Sequence, residues 1–224
     1  AKVWDTNTGQ ELMTLKGHEG EVISAVYSAD AQCIVTGSGD ETARVWDAKT
    51  GTKLMTLEFQ CACPYSHQVW SAFYSPDGAR IVTAIGDGTA KIWDAGTGTE
   101  LMTLKGHDHI IDSAAYSPDG ARIVTGSWDK TAKVWDAETG QELLTLTGHE
   151  GYVHSAFYSP DGARIVTASS DMTAKVWDAK TGTELMTLKG HDNQVNLVDH
   201  GNRVWIAVYS ADGARIVTTG DMIA

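Results

Sequence analysis

Thr131-Ala132-Lys133-Val134-Trp135-Asp136 is the stretch on which the reading of this chain turns. Ala132 and Val134 alternate with Lys133 and Trp135, the two-residue period of a pleated strand. The same six-residue frame recurs at Thr42–Asp47, Thr89–Asp94 and Thr173–Asp178, and a shortened copy opens the chain at Ala1–Asp5. Its tryptophans, Trp4, Trp46, Trp93, Trp135 and Trp177, stand 42, 47, 42 and 42 residues apart. A repeat of this length holds about one four-stranded unit, and such a unit cannot bury both faces alone.

Working outward, a second block, Tyr-Ser-Pro-Asp-Gly-Ala-Arg-Ile-Val-Thr, begins at Tyr74, Tyr116 and Tyr158, with variants at Tyr27 and Tyr209. The third unit then reads as four strands: Ile110–Ser117, Ala121–Gly126, Thr131–Asp136 and Glu142–Leu146. Pro118-Asp119-Gly120 supplies the first turn, proline fixing φ and glycine accepting φ > 0. Nothing in the chain has a helical period, so the expected class is all-β with helix nearly absent. Units of this kind stack around an axis as a β-propeller.

The expected architecture is one propeller over residues 1–224, with five four-stranded blades at about 18–57, 60–104, 107–146, 149–188 and 191–224. Asp221-Met222-Ile223-Ala224 stops where a Lys-Val-Trp-Asp segment would follow, and Lys2-Val3-Trp4-Asp5 supplies one. The closing blade is therefore expected to be shared, with residues 1–15 completing 191–224, which removes open strand edges. The rival expectation is five repeats cut from a longer array, an open arc that must oligomerise. With Ala1 in place of an initial Met, either an artificial chain boundary or a longer parent chain is expected.

Composition narrows the function classes. A net charge of −12 argues against nucleic acid or an anionic membrane surface as the main partner. Apolar runs are only a few residues long, too short for a membrane-spanning helix. Three cysteines do not make a disulfide framework, and Ala1–Asp5 lacks the apolar region of a secretory signal, so a reducing cytoplasmic setting is expected.

Gly-His, Ser-Pro-Asp-Gly, Gly-Ser-x-Asp-x-Thr and Val-Trp-Asp follow one another in fixed order, and together they resemble the WD40-repeat family over essentially the whole chain. The near-identity of the copies is similar to that of highly repetitive bacterial and fungal WD40 arrays. The resemblance implies a propeller whose blades are each pinned by a hydrogen-bonded tetrad of Trp, Thr, His and Asp. It maps onto Trp46, Thr36, His18 and Asp40; onto Trp135, Thr125, His107 and Asp129; and onto Trp177, Thr167, His149 and Asp171. The role is structural, because buried indole and imidazole groups satisfy one another there. Two copies depart from the pattern. The second has Gln60 in place of His, beside Asp87 and Trp93, and the fifth reads Thr218-Thr219-Gly220-Asp221 with Ile223 for Thr. The first copy has Ala29-Asp30-Ala31 in place of Pro-Asp-Gly.

Positions that differ between such similar copies are not dictated by the blade. The first set is Glu21, Gln68, Ile110, Tyr152 and Arg203; two residues on lie Ile23, Trp70, Asp112, His154 and Trp205. A third set, just before the tetrad Asp, is Gly39, Gly86, Trp128, Ser170 and Gly220. The WD40 resemblance puts all three on one face around a central channel. The three tryptophans outside the repeated frame, Trp70, Trp128 and Trp205, all fall in these sets. Aromatic and Arg side chains dominate binding hot spots. Drift among surface loops is the bland alternative, though drift delivers small polar residues more often than Trp. The candidate partner-binding residues are Trp70, Trp128, Trp205, Tyr152, His154, Ile110, Asp112, Arg203, Glu21 and Tyr65, the last in the long insertion Phe59–Gln68. A second insertion spans Asp192–Arg203; long loops on a rigid scaffold often bind.

Cys61, Cys63 and His67 lack the paired spacing of a zinc site, so no metal or cofactor is expected. His109, His154 and His200 read as loop polar groups. No unique convergent set of titratable groups suggests an enzyme. The leading expectation is a non-catalytic scaffold or sensor module binding a protein or peptide on the variable face, monomeric if the ring closes. The alternative is a lectin-like multivalent propeller binding small ligands or glycans, which would repeat one polar and aromatic site five times.

Overall fold

The computed structural model describes residues 1–59, 68–190 and 203–220, and every described element is a strand. Four complete antiparallel sheets follow one another along the chain. The first is β3 (Val22–Tyr27), β4 (Cys33–Ser38), β5 (Thr42–Asp47) and β6 (Lys53–Glu58). The second is β7 (Val69–Tyr74), β8 (Arg80–Ile85), β9 (Thr89–Asp94) and β10 (Glu100–Lys105). The third is β11 (Ile111–Tyr116), β12 (Arg122–Ser127), β13 (Ala132–Asp136) and β14 (Glu142–Leu146). The fourth is β15 (Val153–Tyr158), β16 (Arg164–Ser169), β17 (Ala174–Asp178) and β18 (Glu184–Leu188). Each is a meander, the simplest pairing for strands joined by tight turns. Ser117-Pro118-Asp119-Gly120 shows how the turn is made: Ser117 Oγ accepts from Arg122 N at 2.9 Å, and Gly120 takes φ +73°. At the matching place in the first blade Ala31 is forced to φ +57°, so the turn survives the loss of glycine at a steric cost.

The core lies between blades. Val82, Ile92 and Leu104 of the second sheet close on Ile111, Ile123 and Trp135 of the third in one buried cluster. Polar bonds add to this seam. Ser71 Oγ accepts from Ala114 N at 3.1 Å, Ser113 Oγ from Ala156 N at 3.0 Å, and Ser155 Oγ from Ala207 N at 3.1 Å, each across to the next blade. On the outer side Arg80 Nη1 donates to Ala137 O, and Arg122 Nη1 to Ala179 O, both at 3.0 Å.

The expected shared closing blade is not formed. β1 (Lys2–Trp4) pairs with β2 (Glu11–Thr14), and β19 (Val204–Tyr209) with β20 (Ile216–Gly220), as two separate two-stranded sheets. Among the described residues there are therefore four complete blades and no closed ring. Trp4 is 53% exposed, whereas Trp46, at the same place in a complete blade, is 1% exposed. Val217 is 58% exposed, whereas Val166 is 0%. The reason is physical: the motifs specify which strands can pair, but the turn from blade to blade is set by inter-blade packing, and that decides whether the two ends meet.

Candidate functional site

The three full tetrads are geometrically alike. Trp135 Nε1 donates to Thr125 Oγ1 at 2.9 Å, Thr125 Oγ1 meets His107 Nε2 at 2.7 Å, and His107 Nδ1 meets Asp129 Oδ2 at 2.6 Å. Trp177, Thr167, His149 and Asp171 repeat the string at 2.9, 2.7 and 2.7 Å. Trp46, Thr36, His18 and Asp40 repeat it at 2.9, 2.7 and 2.8 Å. Each Thr hydroxyl is consumed between an indole and an imidazole, so it is no nucleophile. Burial alone would raise the Asp129 carboxyl, but hydrogen bonds from His107 and Thr131 outweigh it and hold the group well below the usual carboxylate range. Asp40 and Asp171 are held down in the same way. Burial pushes the His18 imidazole down, against the pull of Asp40.

The second blade lacks the histidine. Trp93 Nε1 still donates to Thr83 Oγ1, at 3.0 Å, while the Phe59 ring stands edge-on to Trp93 with centroids 5.1 Å apart. In the other blades the His ring makes this edge contact at 5.9–6.1 Å. Phe59 was visible in the sequence only as the start of an insertion. Gln60, Cys61, Cys63, Tyr65, His67, His200 and Asp221 lie outside the described residues.

The variable residues gather around one axis. β3, β7, β11, β15 and β19 are the inner strands, and side chains from all five line a common cavity of about 550 Å³. Asp112 sits at its centre of bonding: its Oδ2 accepts from Trp128 Nε1 at 2.7 Å and faces His154 Nδ1 at 2.7 Å. Trp128 stacks on Tyr152 with centroids 5.0 Å apart and planes 10° apart, and His109 packs against both rings. Trp70 tilts toward Trp128 at 6.1 Å. Trp205 covers His154 at 4.3 Å, with the Arg203 guanidinium 5.6 Å over its ring. Seven candidate residues, Trp70, Trp128, Trp205, Tyr152, His154, Asp112 and Arg203, thus form a continuous network. Ile110 is half-buried, its carbonyl accepting from Trp128 N at 2.9 Å, and Glu21 is exposed with its carbonyl accepting from Gly39 N at 2.8 Å. His154 is a correction: it lies inside β15, 6% exposed, and is not a loop group.

The opposite end of the axis is built from repeated residues instead. Tyr74, Tyr116 and Tyr158 line a second cavity there with Pro76 and Pro118. Phe73 and Phe157 meet edge-on at 5.6 Å and line both cavities, so they separate the variable end from the uniform one.

The WD40 family model (WD domain, G-beta repeat) matches four stretches, 9–47, 55–94, 98–136 and 140–178. The chain belongs to the WD40 family. Each matched stretch begins on the outermost strand of one blade and runs through three strands of the next; 98–136 takes in β10 to β13, for example. A search of curated proteins found no match. WD40 domains generally act as non-catalytic scaffolds for protein–protein interaction. In this WD40 domain no group of three or more His, Cys, Asp or Glu side chains that could hold a metal occurs among the described residues.

Proposed function

We propose that this chain is a non-catalytic interaction module that binds a protein or peptide on the face carrying Trp70, Trp128, Tyr152 and Trp205. The observation that supports this reading most is the single Trp128–Asp112–His154 network, drawn from two neighbouring blades. A lectin-like reading needs the same site in every blade. Here the positions equivalent to Trp128 are Gly39, Gly86, Ser170 and Gly220, so the aromatic cluster occurs once. Aromatic rings already held by stacking lose little freedom on binding, which favours a rigid composite hot spot.

A peptide-display library selected on the immobilised protein tests this. Selected binders should lose at least about tenfold in affinity on Trp128→Ala and keep it on Lys180→Ala, an exposed residue of the opposite end. Both variants should retain the parent thermal midpoint to within a few degrees. Binders that ignore Trp128→Ala, or respond to Lys180→Ala, would defeat the reading.

A further inference from the structure

The cavity at the variable end has walls that are almost wholly apolar: Ile23, Trp70, Phe73, Phe157, Trp205 and Val208. Four polar atoms of its lining residues are buried without a hydrogen-bond partner: Ser24 Oγ, Trp70 Nε1, Asp112 Oδ1 and His154 Nε2. Every other such atom among the described residues is a tyrosine hydroxyl, on Tyr74, Tyr116, Tyr158 and Tyr209. Unpaired buried groups are costly and call for an explanation, and their concentration around one cavity is the mark of a ligand site.

Their chemistry restricts the ligand. His154 Nδ1 faces Asp112 Oδ2, so Nδ1 carries a hydrogen, and in the neutral ring Nε2 then presents a lone pair. Asp112 Oδ1 is likewise an acceptor, and Trp70 Nε1 is a donor only. The site lacks a donor on the Asp112–His154 side and an acceptor on the Trp70 side. A compact cation would satisfy Asp112, but it would shed its hydration against aromatic walls with little else to replace it. A planar ring gains from those walls and needs only one N–H or O–H on its edge.

We infer that the cavity binds a planar aromatic group carrying an edge N–H donor, of the indole class, with a carbonyl acceptor close by. The ring lies on the Phe73–Phe157 pair and between Trp70 and Trp205. Its N–H meets Asp112 Oδ1, and its carbonyl meets Trp70 Nε1. The four polar atoms are out of reach of water in this structure, so apolar contact draws the ring in first, and Trp70 and Trp205 must turn to uncover Asp112 Oδ1 and Trp70 Nε1 before these atoms fix its orientation. The group can be a free small molecule or the aromatic side chain of a docked partner; only the second source rests on the function proposed above.

Titration with N-acetyl-tryptophanamide, N-acetyl-phenylalaninamide and N-acetyl-argininamide tests the inference, followed by calorimetry and by the indole N–H resonances of the eight tryptophans. The tryptophan amide should bind at least about tenfold tighter than the other two, shifting Trp70 and Trp205 while Trp46, Trp135 and Trp177 stay in place. Asp112→Asn keeps an acceptor for Trp128 and His154 but turns Oδ1 into a donor, so the tryptophan amide should fall to the phenylalanine level. Equal binding of all three amides, tightest binding of the arginine amide, unmoved Trp70, or indifference to Asp112→Asn would each overturn it. Displacement of face-selected peptides by the tryptophan amide assigns the group to a partner side chain, and binding without displacement assigns it to a free molecule. Failure of the probes while Trp128→Ala still abolishes peptide binding sinks this inference alone.

Discussion

Trp135 and Thr125 are ten residues apart in sequence and 2.9 Å apart in hydrogen-bond contact, and the pairs Trp46–Thr36, Trp93–Thr83 and Trp177–Thr167 repeat that relationship at 2.9–3.0 Å. The Thr125 hydroxyl satisfies an indole N–H and an imidazole nitrogen at once. Thr125→Val keeps the shape and strands both groups, so it should lower unfolding stability by about 3 kcal/mol in urea titration, while Thr125→Ser should recover most of the loss. A loss within about 0.5 kcal/mol would mean the tetrad carries no net stability.

Ala31 holds φ +57°, a conformation glycine adopts freely and alanine does not. Ala31→Gly should stabilise the first blade by about 1 kcal/mol, and Gly162→Ala, at φ +71° in the fourth blade, should cost about as much. Thermal midpoints moving the opposite way would show that unfolded-state entropy outweighs turn strain.

Stability should fall with acid in two steps. His18 is depressed in the folded state, so its contribution is present above its ordinary value of 6.5 and is lost as pH falls below it. Asp40, Asp129 and Asp171 are depressed from 3.8, so theirs persists through the mildly acidic range and is lost as pH falls below about 4. Urea midpoints measured between pH 8 and pH 3 should show a shallow decline first and a steeper one after. Asp129→Asn should flatten the steeper limb, and a midpoint independent of pH would contradict the assignment.

The two-stranded sheets β1–β2 and β19–β20 have one complete neighbour each and expose Trp4, Ile206 and Val217. Their amides should exchange with solvent at least about tenfold faster than those of Val124 and Val166 in the complete blades. Uniform protection would mean that both sheets are covered in solution.

The tetrads were legible through the WD40 resemblance, and the observed register shows why the pattern places its members together. With Ile123 paired to Trp135 and Thr125 to Lys133, antiparallel pairing alone puts the Trp135 indole beside the Thr125 hydroxyl. The variable face was legible as a set of positions, but its wiring was not. That Asp112 would hold both Trp128 and His154 depends on which way side chains lean between blades, and no spacing in the chain encodes it. Phe59 escaped notice because its contact with Trp93 is one of shape, which no motif encodes. Ring closure failed as an expectation because complementary edges say nothing about curvature.

The stagger between repeat and blade has a consequence for how such a chain can grow. Because each family repeat carries the outer strand of one blade and three strands of the next, neighbouring blades are stitched together by the covalent backbone. A tandem duplication of one repeat length within the second and third blades imports its own seam: the same serine bridge, the same arginine clasp and the same apolar interlock. Blade number can thus change by a genetic accident that invents no new contact, leaving only the few residues at one rim to acquire meaning.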